Sequence, residues 1–169
     1  MSIYIPKMYK KDIFNINYKL LKEKQIKAVL FDLDNTLMEK ECLIPTNKTI
    51  DLLKELKKDF TVLIISNTIK KNKITKVATL CETEYIMNAK KPSAKGYKEA
   101  INKLNLKPTE IAMIGDQLVT DISGANKIGM YTILVNPIGT DNSKWTKINR
   151  IREKNIMKKL NFKVGEYYE

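Results

Sequence analysis

A chain of 169 residues that is 43% apolar can bury one sizeable core, and the absence of histidine excludes a Ser-His-Asp triad, histidine-ligated zinc and a phosphohistidine intermediate. The net charge of +12 favours an anionic partner, but lysine outnumbers arginine 29 to 2 among many Asn and Ile residues, so AT-rich codon usage alone could account for much of it. The two cysteines, Cys42 and Cys81, have no metal-ligand spacing and read as reduced structural residues, which leaves carboxylates, lysines, hydroxyls and a metal for any catalysis.

In chain order, residues 1–25 read as an N-terminal helical extension with a helix near 10–23. The opening MSIYIPKMYKK lacks the apolar centre of a signal peptide, and no run of about 18 apolar residues follows, so the expectation is a cytoplasmic chain. Residues 26–136 read as the core. Its predicted strands lie at 27–32, 60–66, 84–87, 110–115 and 131–135, rich in Ile and Val without strict alternation, as in strands covered on both faces. Helices are expected at 47–58 on Ile50, Leu53 and Leu56, in the interval before residue 84, at 93–104 on Tyr97, Ala100, Ile101 and Leu104, and at 121–128. Residues 137–169 read as a C-terminal helical extension with a helix at 145–160. Alternating strands and helices imply parallel strands and right-handed crossovers: a single domain, 1–169, with a doubly wound (Rossmann-like) three-layer α/β sandwich and a mainly parallel sheet.

Open parallel sheets bind ligands beyond the carboxyl ends of their strands. There the sequence places Asp32 and Asp34, then Ser66 and Asn67, then Lys91 before a proline, then Asp116 and Asp121. A single aspartate at a strand end usually caps a turn. Four acids on one edge repel one another unless a cation is present, and Mg2+ suits one or two carboxylates, waters and a phosphate. Two aspartates two residues apart can address one phosphorus from different sides, one as nucleophile and one as proton carrier. A hydroxyl such as Ser66 can hold phosphate oxygens.

The order DLDNT, SN, KP and GDQLVTD resembles the four motifs of the haloacid dehalogenase (HAD) superfamily. The resemblance implies a capless HAD core in which Asp32 becomes an aspartyl-phosphate. Asp34 would be general acid and then base, and Ser66 with Asn67 would bind phosphoryl oxygens. Lys91, rather than its neighbour Lys90, would offset their charge. Asp116 would ligate Mg2+ with the Asp32 carboxylate and the Asp34 carbonyl, and Asp121 would orient that shell or the lysine. The second aspartate of DLD favours a phosphatase over a dehalogenase or a P-type ATPase and leaves a phosphomutase open. DLDNTL, GDQLVTDISGAN and the tail segments NPI and TKINR are similar to the class IIIA, YqeG-type subfamily, which includes phosphatases acting on phosphatidylglycerophosphate in phospholipid synthesis.

Only 31 residues separate Asp34 from Ser66, and 23 separate Asn67 from Lys91, too few for a cap domain. An open site suits a large phosphorylated substrate such as a lipid headgroup at an anionic membrane surface, where Trp145, Phe162, Tyr167 and Tyr168 of the terminal helices could lie at the interface or else pack on the core. Two other readings stay open. One is the same chemistry on another bulky or soluble phosphomonoester. The other is a non-enzymatic nucleic-acid binder, disfavoured because a binder need not keep a full catalytic set.

Overall fold

The computed structural model describes residues 2–139 and 144–168. A first strand, β1 (Met8–Lys10), leads through a short 3-10 turn capped by Asp12 to helix α1 (Tyr18–Glu23), whose N-terminus is capped by the Asn17 side chain. Then follow β2 (Ala28–Phe31), α2 (Asn47–Leu56), β3 (Thr61–Ile65), α3 (Lys71–Cys81), β4 (Glu84–Ile86), α4 (Ala94–Leu104), β5 (Ile111–Gly115), α5 (Ser123–Ile128), β6 (Tyr131–Val135) and α6 (Lys144–Leu160). All strand pairs are parallel, in the order β1-β6-β5-β2-β3-β4.

Period-two alternation along the strands feeds two cores. Val29 and Phe31 of β2 point into the cluster covered by α1, α2 and α3, with Leu21, Leu53 and Ile74. Ala28 and Leu30 point to the other side, against Tyr97 and Ala100 of α4 and Ala125 of α5. The doubly wound sandwich follows from this two-sided burial of β2, β3 and β5.

The N-terminal segment departs from the helical extension read in the sequence. After a single 3-10 turn (Ser2–Tyr4) it forms β1, which pairs with β6 in register Met8 to Ile133 and makes the sheet six-stranded instead of five-stranded. Three residues carry too little pattern to announce a strand; β1 is made by its docking on β6. The C-terminal extension is likewise more than a helix. Its tail runs antiparallel to β1, with Gly165 N–H donating to Tyr9 O at 2.7 Å and Tyr9 N–H to Glu166 O at 3.0 Å. Pairing of this kind covers an otherwise open sheet edge. Phe162 and Tyr168 pack on Tyr9, Leu118, Ile122 and Leu134, so these two aromatics belong to the fold, whereas Tyr167 is exposed beneath the Lys10 ammonium. The Trp145 side chain lies outside the described residues. Both cysteines are free, Cys42 exposed and Cys81 buried.

Candidate active site

The chain winds one way from β2 through β3 to β4 and the other way from β5 to β6, so the crevice between β2 and β5 is the switch point of the sheet. Asp32 follows β2 directly, its N–H completing the ladder to Ile114 O at 2.9 Å. Beyond it the backbone turns sharply. Asn35 adopts a positive φ of 65°, which Asn tolerates better than most residues; its N–H donates to Met38 O at 2.6 Å and its carbonyl accepts from Ile138 N–H at 2.9 Å. This turn lets Asp32 and Asp34 line the same cleft. On β5 the residue before Asp116 must be small, because a Cβ on Gly115 would overlap the Asp121 carboxylate.

Asp32, Asp116 and Asp121 are all buried, and each offers a carboxylate oxygen within 4.8 Å of the others. Lys91 enters the cluster from the segment after β4. Its ammonium donates to Asp32 Oδ1 at 2.6 Å, to Asp121 Oδ1 at 2.7 Å and to Ile65 O at 3.0 Å. Burial raises the Asp32 carboxyl well above the usual range, opposed by Lys91 and reinforced by Asp121 and Asp116. Burial likewise pushes Asp116 up to about 6, with Arg150 opposing it. For Lys91 burial works against the charge, but Asp121 and Asp32 outweigh it and hold the ammonium protonated. Three packed acids facing one core lysine are short of positive charge, and their oxygen donors suit a hard divalent cation: the cluster fits a metal site.

The cleft over this cluster, about 290 Å³ in volume, is lined by Asp32, Asp34, Ser66, Lys70, Lys73 and Lys91 among others. Asp34 stands apart from the acid cluster and accepts from Lys73 Nζ at 2.5 Å; the same ammonium reaches Lys40 O at 2.5 Å. Ser66 Oγ accepts from Thr68 N–H at 3.1 Å, which leaves its own proton to donate into the cleft. Asn67, expected beside Ser66 on the phosphate, also braces Lys91: its Nδ2 donates to Lys91 O at 2.9 Å and its Oδ1 accepts from Lys91 N–H at 2.7 Å. Lys90 is exposed, and Lys91 is the lysine that reaches the acids. Asp121 also accepts from Gln117 N–H at 3.1 Å, and Tyr97 OH ties the backbone of residues 120 and 121 to α4.

Four residues of the site escape the sequence reading. Thr36 Oγ1 donates to Asp116 Oδ1 at 3.2 Å, and Lys73 holds Asp34. Arg150 Nη1 donates to the Asp116 carbonyl at 2.7 Å, while its Nη2 pairs with Asp116 Oδ2. Glu153 joins Arg150 to the Val119 N–H, with contacts of 3.1 and 3.0 Å. Thr36 stands inside DLDNT and Arg150 inside TKINR, so their motifs hinted at them. Nothing in the sequence separates Lys73 from the other lysines.

The model of the family described as mitochondrial PGP phosphatase matches residues 1–139, from β1 to just past β6. The chain belongs to this family. A PGP phosphatase family member is a phosphatase of the HAD superfamily, a phosphoric monoester hydrolase. The chain is 34% identical over 160 residues to the "Probable phosphatase YqeG" of Bacillus subtilis, covering 94% of this chain and 92% of that protein. Its fold is shared with a HAD phosphatase from Thermococcus onnurineus, at 18% identity and a TM-score of 0.57 over 70% of this chain and 90% of the other. A HAD family enzyme from Bacteroides thetaiotaomicron, solved as a magnesium complex, has a TM-score of 0.54 at 14% identity, covering 73% of this chain and 99% of that one.

Proposed function

We propose that this phosphatase hydrolyses phosphatidylglycerophosphate to phosphatidylglycerol, with Asp32 as the nucleophile and Mg2+ as the cofactor. The observation that carries the chemistry is the buried Asp32, ion-paired to Lys91 through Oδ1 while Oδ2 has only a long 3.5 Å contact with Thr36. Oδ2 is the freer oxygen to attack phosphorus. An acyl-phosphate bond forms there as the ester P–O bond breaks. Asp34, oriented by Lys73, gives its proton to the leaving oxygen and then takes one from the water that releases phosphate. The Ser66 hydroxyl and the Lys91 ammonium hold the phosphoryl oxygens. Asp32 and Asp116, with the Asp34 carbonyl, would hold Mg2+, which neutralises charge on the transferring group.

The lipid assignment is supported by the family description and by the edge around the cleft. Leu43, Ile44, Ile69 and Ile138 are exposed apolar side chains on three loops at the carboxyl ends of the strands, and Lys70 and Lys71 are exposed beside Ile69. Apolar tips among lysines suit peripheral contact with an anionic bilayer. Among the described residues no helix is long and apolar enough to cross a membrane. This edge, more than the terminal helices, is the surface we assign to the membrane.

The test is phosphate release from phosphatidylglycerophosphate in mixed micelles, with Mg2+ and with chelator, beside a generic aryl phosphate. Mg2+-dependent release from the lipid well above the aryl ester is expected. Equal or greater release from soluble esters would discard the lipid. Steeply salt-dependent nucleic-acid binding with no phosphate release would discard the enzyme reading as well.

A further inference from the structure

Helix α6 is inside out for a helix packed on a domain. Its first half shows Ile148 and Ile151 to solvent, 61% and 64% exposed, while Glu153 is the one buried residue among its described side chains, at 3%. An amphipathic helix would bury the isoleucines. Among the described side chains of the helix, apolar contact with the domain comes from Ile156 and Met157, which pack on the cluster around Leu118 and Ile122. Among the described side chains, what the first half places inside is a charged pair, and desolvating such a pair is costly unless its hydrogen bonds are met.

Apart from the bond that joins the two, those bonds end on one segment, residues 116–122 between β5 and α5, which carries Asp116 and Asp121. The Arg150 guanidinium forks across one residue, taking the carbonyl of Asp116 with Nη1 and its carboxylate with Nη2. The fork fixes both the backbone and the carboxylate of Asp116, while Thr36 holds the other oxygen, Oδ1. Glu153 accepts from Arg150 and, through its other oxygen, from Val119 N–H in the wide helical turn that bears Asp121. One ion pair therefore ties the single segment that bears Asp116 and Asp121 to α6 at two points, Asp116 and Val119. A planar five-donor group is suited to this fork, and lysine cannot reproduce it.

We infer that Arg150 and Glu153 are positioning residues of the metal site: the C-terminal helix supplies an external clamp that presents Asp116 to the cation. The inference rests on the metal-assisted reading above and concerns no substrate. Partners behind metal ligands typically change affinity about 10- to 100-fold when removed. The experiment is calorimetric titration of the full chain with Mg2+ alone, alongside Arg150→Ala, Arg150→Lys and Glu153→Gln. Melting curves in chelator show which variants are folded. We expect Arg150→Ala to weaken Mg2+ binding about 10-fold or more, Arg150→Lys to recover part of the loss and Glu153→Gln to lose about 3-fold. A helix that merely anchors the fold would lower the melting temperature and leave metal affinity untouched, which overturns the clamp. Tighter binding by Arg150→Ala overturns it too, since Arg150 would then be a competitor of the cation. If Arg150→Ala does not fold, unchanged affinity in both Arg150→Lys and Glu153→Gln overturns it, and a loss in Glu153→Gln sustains it. No Mg2+ binding by the unaltered chain would remove both the clamp and the metal in the proposed function, whereas equal binding by every variant removes the clamp alone.

Discussion

The acid cluster is approached from two regions built in opposite ways. From inside come Asp32 and Asp116, which directly follow the fully buried strands β2 and β5, and the buried Lys91 from the segment after β4. From outside comes α6, mostly solvated, reaching Asp116 with Arg150. The inner cation cannot leave without exposing the core, while the outer one sits on a helix whose described side chains make few apolar contacts. Electrostatic compensation is thus divided between a fixed part and a part that depends on peripheral docking.

The largest effect expected is on the inner side. Asp32→Asn should lower turnover by at least about 10³-fold with an unchanged circular dichroism spectrum, because the amide keeps the shape and loses the nucleophile. An undiminished rate would remove Asp32 from the chemistry. Lys91→Met comes next: it strands Asp32 and Asp121, and should cost the metal-free fold about 3 kcal/mol, seen as a lower urea midpoint, together with loss of activity. If the inner and outer cations were equivalent, Arg150→Ala would destabilise as much as Lys91→Met; the comparison predicts a smaller stability loss for Arg150→Ala.

Lys73→Ala tests the proton carrier. It frees Asp34 and should reduce kcat about 10- to 100-fold while Mg2+ affinity stays level, a split that Lys91 and Arg150 variants should not show.

The pH dependence of stability follows from burial. Asp116 is pushed to about 6 and Glu153 to about 7, the latter by burial against the Val119 N–H and Arg150. Their unfolded values are near 3.8 and 4.5. Between those limits the folded state binds more protons than the unfolded one, so stability falls as pH rises through the window. In chelator, the melting temperature should therefore rise from pH 8 to pH 5. Since Mg2+ requires ionised carboxylates, its stabilising increment should shrink over the same range. A metal-free melting temperature that falls on acidification would refute the burial argument. The smallest effect belongs to Ile151→Ala on the open face of α6, within about 0.5 kcal/mol and without change in Mg2+ affinity.

Five of the six strands and the order of the motif residues can be read from the chain, because buried parallel strands are short apolar runs and their carboxyl ends must carry the ligands. Asp32, Ser66 and Asp116 each stand next to a strand whose position is legible, and Ser93 caps α4 where its pattern begins. β1 is not legible, since three residues become a strand only by pairing with β6. Nor is the partner of each acid. Lys73 meets Asp34 across 39 positions and Arg150 meets Asp116 across 34, and no local period encodes either distance.

The sequence alone determined five strands of the sheet, its doubly wound character and the set of acids at its carboxyl edge, because these depend on local apolar pattern and on which residues follow each strand. Tertiary structure alone decided which cation faces which acid, that the tail covers the β1 edge, and that α6 buries Glu153 and exposes Ile151. Those outcomes depend on desolvation and on charges brought together from distant parts of the chain.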